Sequence, residues 1–172
     1  FDDGLTVVQE LTSILPIALV NSINPYRLEG QKTAAFEICD ELGSAPDVLC
    51  IPVGNAGNIS AYYNGFVQYD ALQNTGIPQL IGVQAEGAAP LVIGKTVEKP
   101  ETIATAIRIG KPARGAQALE AIRATNGKML AVSDAEILAA QKLLASEGIW
   151  VEPASAAGLA GLIKAVASGF SL

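Results

Sequence analysis

A doubly wound α/β domain, three layers deep around a mainly parallel sheet, is the fold class this sequence predicts, and three observations predict it. Short apolar runs of strand length, at 48–53 (VLCIPV), 79–84 (QLIGVQ) and 128–132 (KMLAV), alternate with segments of helical periodicity. These runs are apolar at consecutive residues rather than at every second one, the pattern of strands covered on both faces. Half of the 172 residues are hydrophobic, which supports one domain with a full-sized core.

The elements follow in order. Leu5, Val8, Leu11 and Leu15 recur at helical spacing, and 17–20 (IALV) reads as a strand. Residues 21–30 (NSINPYRLEG) form a polar, Pro-punctuated loop. Its Asn, Ser and Arg residues are good partners for anions and amides, and equally ordinary turn and capping residues. A helix is expected over 31–42, with Ala34, Ala35, Ile38 and Leu42 as its apolar face. The strand at 48–53 runs through a Gly-bearing turn into a helix at 59–73 whose apolar positions are Ile59, Tyr63, Phe66 and Val67. After the strand at 79–84 comes AEGAAP, then an irregular stretch, 95–112, with a short helix at 101–107. A helix at 116–124 and the strand at 128–132 follow. Ser133 and Glu136 have capping-box spacing before a helix at 137–146. A short strand is expected at 149–151. The last helix, after Glu152-Pro153-Ala154-Ser155, is rich in Ala and Gly, which implies close packing on the sheet, with Ser155 in a capping role.

Composition excludes several function classes. A net charge of −6 without a basic cluster argues against nucleic acid, and no apolar run is long enough to cross a membrane. Cys39 and Cys50 fall on buried elements and read as reduced core cysteines of a cytosolic protein. The absence of histidine removes Ser-His catalysis and most zinc sites.

The turn Gly54-Asn55-Ala56-Gly57-Asn58 joins the end of a strand to the start of a helix, where ligands bind in open α/β sheets. The helix's first N–H groups have no partners within it, and its dipole favours an anion there. Gly54 and Gly57 allow close approach and φ > 0, while Asn55 and Asn58 add uncharged amide donors. The chemistry suggested is capture of a phosphate; the alternative is a turn that has glycine for geometry alone. Neither the G-x-G-x-x-G fingerprint nor the Gly-Lys-Ser/Thr of a Walker loop is present, so such a phosphate belongs to neither NAD nor ATP.

Five segments, in order along nearly the whole chain, resemble the C-terminal half of the threonine synthase family, pyridoxal-phosphate enzymes of fold type II. They are VNSINPYRLEGQKTAAFE (20–37), IPVGNAGN (51–58), AEGAAPLV (85–92), ETIATAIRIG (101–110) and EPASAAGLAG (152–161). The resemblance implies that residues 1–24, a helix plus a strand, end a small domain, and that 25–172 belong to the large cofactor-binding domain. It implies that Gly54, Asn55, Ala56, Gly57 and Asn58 cup the phosphate of pyridoxal 5'-phosphate. Asn21, Ser22 and Arg27 would then hold the phosphate of the substrate, O-phosphohomoserine. The implied reaction removes that phosphate from the γ-carbon and adds water at the β-carbon to give L-threonine. The implied parent is a cytoplasmic homodimer with no nucleic-acid or membrane partner and no metal.

The resemblance also marks what this sequence lacks. The family's Schiff-base lysine, in a stretch resembling S-x-K-D-R, and the Ser/Thr-Gly-Asn loop that follows it do not occur, so no catalytic residue is assigned here. Lys32, Lys95, Lys128 and Lys164 stand in other contexts and are expected to be solvated. Phe1 is not an initiator Met, and Leu172 precedes the family's last strand, so a fragment is expected. Where the family tends to have Asn-Pro-x-Ser/Asn-Trp, Lys111-Pro112-Ala113-Arg114-Gly115 stands. Two other readings compete. One is a threonine or serine dehydratase, whose substrate has no phosphate for the Asn21 to Arg27 loop to hold. The other is a non-catalytic domain of the same fold.

Overall fold

The computed structural model describes residues 2–21 and 24–170. Helix α1 (Asp2–Ile14) precedes α2 (Pro25–Gln31) and α3 (Thr33–Leu42). Strand β1 (Val48–Pro52), helix α4 (Gly57–Gln73) and strand β2 (Gln79–Ala85) follow. After them come α5 (Pro90–Ile93), a 3₁₀ turn (Thr105–Ile107), α6 (Gly115–Ala124), β3 (Lys128–Val132), α7 (Asp134–Ser146) and α8 (Pro153–Ala167).

The three strands lie in the order β1-β2-β3, and both pairings are parallel. The alternation of side chains along each strand makes the layers. Ile81, Val83, Ala85 and Val132 face one way and pack with Ile137 of α7 and the alanines of α8. Ile51, Val53 and Leu80 face the other way, onto Ile59 of α4 and Ala118, Ala121 and Ile122 of α6. Helix α3 adds an outer layer, with Ala35 and Cys39 against Phe66 of α4. The three-layer, doubly wound parallel architecture is the expected one.

Several local expectations are corrected. Residues 17–20 are not a strand: Ile17 and Val20 are exposed, and the Leu19 carbonyl accepts from the Asn24 side chain at 2.7 Å. Residues 149–151 are not one either, for Val151 gives its carbonyl to Gln141 Nε2 at 2.8 Å and the chain turns into α8. A strand exists only with a neighbour to pair with, and neither stretch has one among the described residues. Conversely, the polar loop contains a helix. Asn24 caps α2, its side chain accepting from Tyr26 N–H at 2.9 Å, and Pro25 occupies a first-turn position where no N–H is needed. Of the helix expected at 101–107, only the 3₁₀ turn forms. Leu42 and Val67 are exposed, and Cys39 takes the place expected of Leu42 in the core. Ser155 does not cap α8; Glu152 stands at the cap. Lys164 is half-buried and ion-paired with Glu136, and Lys32 is mostly buried and pairs with Glu29, so neither is simply solvated.

Candidate functional site

At the C-terminal edge of β1 a cleft of about 690 Å³ opens between four elements. Its floor is the turn 54–58 and the first residues of α4. One wall is the 3₁₀ segment, through Thr105, Ala106, Ile107 and Ile109. Another is the start of α8, through Glu152, Ala154 and Ser155, and α2 contributes Arg27 and Gln31.

The floor owes its shape to the buried end of β1. Val53 N–H donates to the Val83 carbonyl at 2.7 Å, and the fully buried Gln84 ties Val53 to the start of α5. Its Nε2 donates to Val53 O at 3.4 Å, and its Oε1 accepts from Leu91 N–H at 2.9 Å. Gly54 follows, and a Cβ there would stand 3.0 Å from both Ala106 O and Ile107 Cα, so the close approach expected of this glycine is real. The left-handed residue of the turn, however, is neither Gly54 nor Gly57 but Ala56, at φ 64°. Ser60 braces it, its hydroxyl donating to the Ala56 carbonyl at 2.7 Å. The bend brings the chain into α4 with its first N–H groups unpaired within the helix and no acidic residue in the first turn.

Asn55 serves two partners. Its Oδ1 accepts from Ala113 N–H at 2.6 Å, and its main-chain carbonyl accepts from Arg114 N–H at 3.3 Å. Its Nδ2 is buried and has no partner among the described residues. The floor is therefore an uncharged set of donors lacking an acceptor. Gly54, Asn55, Ala56, Gly57 and Asn58 thus lie together, as expected, and Arg27 lines the same cleft. Arg27 makes no ion pair among the described residues, while Glu29 pairs with Lys32. Asn21 does not line the cleft; its carbonyl accepts from Asn24 N–H at 3.0 Å. Ser22 lies outside the described residues.

The cleft also includes residues the sequence reading did not assign. Gln31 sits one helical turn beyond Arg27, a relation visible only once α2 is read as a helix starting at the Asn24-Pro25 cap. Glu152 is the one acidic side chain among the described lining residues, and Ser155 reaches the wall rather than the cap. Among the described residues no group of His, Cys, Asp or Glu could hold a metal ion, and no helix is long and apolar enough to cross a membrane.

The donor set fits an anion such as a phosphate ester. The chain is 59% identical over 170 residues to threonine synthase of Halalkalibacterium halodurans, covering 98% of this chain and 48% of the relative. It is 58% identical over 166 residues to threonine synthase of Synechocystis, covering 95% of this chain and 44% of the relative. The chain thus spans about half the length of the curated relatives it matches. Among solved structures, a threonine deaminase from T.th. superposes with a TM-score of 0.66 at 27% identity, over 84% of this chain and 54% of that one. The family described as pyridoxal-phosphate dependent enzyme matches residues 1–170, and the chain belongs to that family.

Proposed function

We propose that this chain supplies the cofactor-phosphate half of a threonine synthase, an enzyme that converts O-phospho-L-homoserine and water to L-threonine and phosphate. In this reading residues 25–172 belong to the large domain and residues 1–24 end the small one. A lysine-bearing part, of the length by which the relatives exceed this chain, supplies the covalent anchor for the cofactor. We extend the proposal to a cytoplasmic homodimer with O-phosphohomoserine as substrate. The observation that supports it is a single cleft lined by two distinct anion-binding features, the uncharged turn 54–58 and the Arg27 guanidinium.

Pyridoxal phosphate, when bound, serves as the electron sink that makes bond changes at the substrate's α-, β- and γ-carbons accessible. This chain's residues hold and orient. The N–H groups at the start of α4 and the Asn55 amide hold the cofactor phosphate, uncharged donors aided by the positive end of the helix dipole. Arg27, on α2, holds the substrate phosphate by charge-assisted hydrogen bonds. A dehydratase, related in fold, has no substrate phosphate to engage Arg27, and for that reason the synthase reading is preferred.

In the holoenzyme, Arg27→Ala is expected to lower kcat/KM for O-phosphohomoserine by about ten- to a hundred-fold, the usual effect of one hydrogen bond to a charged group. The affinity for pyridoxal phosphate should stay unchanged. Steady-state kinetics beside a cofactor titration separates the two. An unchanged kcat/KM, or equal losses in both measurements, would reject the role of Arg27 as a substrate clamp.

A further inference from the structure

We infer that the main-chain N–H of Ala113, in the loop where the sequence departs from the pattern it resembles, is a positioning group for the cleft. It sets which way round the Asn55 amide stands, and so which of its atoms is left for a bound anion. A peptide N–H can only donate, and Ala113 N lies 2.6 Å from Asn55 Oδ1. The next N–H, that of Arg114, donates to the Asn55 carbonyl at 3.3 Å, so one loop grips both the side chain and the main chain of a single floor residue. With Oδ1 taken, Nδ2 is the atom left over, buried and without a partner among the described residues. A buried donor without an acceptor is costly, and the first N–H groups of α4 beside it also lack acceptors within the helix. An anionic oxygen satisfies both; the inference therefore rests on the proposed phosphate role of the turn. The loop acts on Asn55 through peptide groups.

The test uses the holoenzyme and two probes, pyridoxal phosphate and pyridoxal, whose affinity ratio reports the phosphate contact alone. Asn55→Asp keeps an acceptor for Ala113 N–H but puts a carboxylate oxygen where Nδ2 stands, whereas Asn55→Ala removes both. The Asp variant is expected to lose about ten- to a hundred-fold of the affinity ratio, more than the Ala variant loses. A residue that merely tethers the loop would give the reverse order. Replacing Ala113 with its α-hydroxy analogue, which removes the N–H alone, should lower the ratio about ten-fold. An unchanged ratio in the Asp variant or in the α-hydroxy analogue would overturn the inference. If the unmodified protein shows no preference for pyridoxal phosphate over pyridoxal, the phosphate role of the turn fails as well, and the two failures are thereby distinguished.

Discussion

Lys164 reaches from the last turn of α8 to the far end of β3, where its ammonium donates to the Ala131 carbonyl at 2.8 Å and to Glu136 at 3.2 Å, with Glu86 3.7 Å away. Burial by itself raises the Glu136 pKa. The N–H and hydroxyl of Ser133, together with Lys164, outweigh it and hold the carboxyl below the ordinary glutamate range. A carboxyl depressed in the folded state binds its proton more readily when unfolded. Its contribution to stability is therefore complete above the unfolded pKa and is lost as pH falls through the folded one. Thermal unfolding followed downward from the ordinary glutamate range should show this loss, and Glu136→Gln should flatten it. With two-fifths of the Glu136 side chain exposed, solvent screening keeps the effect modest. Identical acid slopes in the two proteins would show that the network contributes nothing. No local pattern marks Lys164 as engaged, because its partners come from three other segments. Gln84 is comparable: a polar residue in a buried strand, it draws its partners from Val53 and Leu91.

Helix ends carry their instructions locally, and α7 and α2 illustrate how far those can be read. At α7, Ser133 Oγ accepts from Glu136 N–H at 3.2 Å, and the Glu136 carboxylate accepts from Ser133 N–H at 2.6 Å, the capping box expected from the spacing. Ser133→Ala should cost about 1 kcal/mol, measured as a shift of the urea midpoint with unchanged slope. No shift would mean that Glu136 alone secures the helix start. At α2 the same kind of signal, Asn24 followed by Pro25, stands in a stretch whose polarity suggests a loop. The helix it starts sets Arg27 and Gln31 one turn apart on the cleft wall. The strands expected at 17–20 and 149–151 fail for the opposite reason. Apolar, β-branched residues supply propensity but not the neighbouring strand that a ladder requires, and both stretches remain largely exposed, Trp150 by 85%.

Helix α8 crosses the whole sheet, and its small residues decide how closely. A Cβ at Gly158 would stand 3.2 Å from Cys50 O of β1, and one at Gly161 would come within 2.2 Å of Val83 Cγ2 of β2, while Lys164 meets β3. The three residues, spaced by three, meet the three strands in turn. Gly161→Ala should therefore destabilise the protein by about 1–3 kcal/mol through overpacking, and adding Val83→Ala should recover part of the loss. Chemical denaturation of the single and double variants measures the coupling; strictly additive effects would mean that α8 lifts from the sheet instead. The Ala- and Gly-rich composition announces this close packing, just as the apolar runs announce β1, β2 and β3 and the Gly-bearing turn announces the floor of the cleft. These features were legible because strand periodicity, helix capping and turn chemistry act between residues a few positions apart. The joining of Arg27 to the turn 54–58, the left-handed residue falling at Ala56, the hold of Ala113 on Asn55 and the pairing of Lys164 were settled only by the tertiary structure. Each depends on which distant segments the packed sheet brings within hydrogen-bonding distance, and no short-range pattern encodes that.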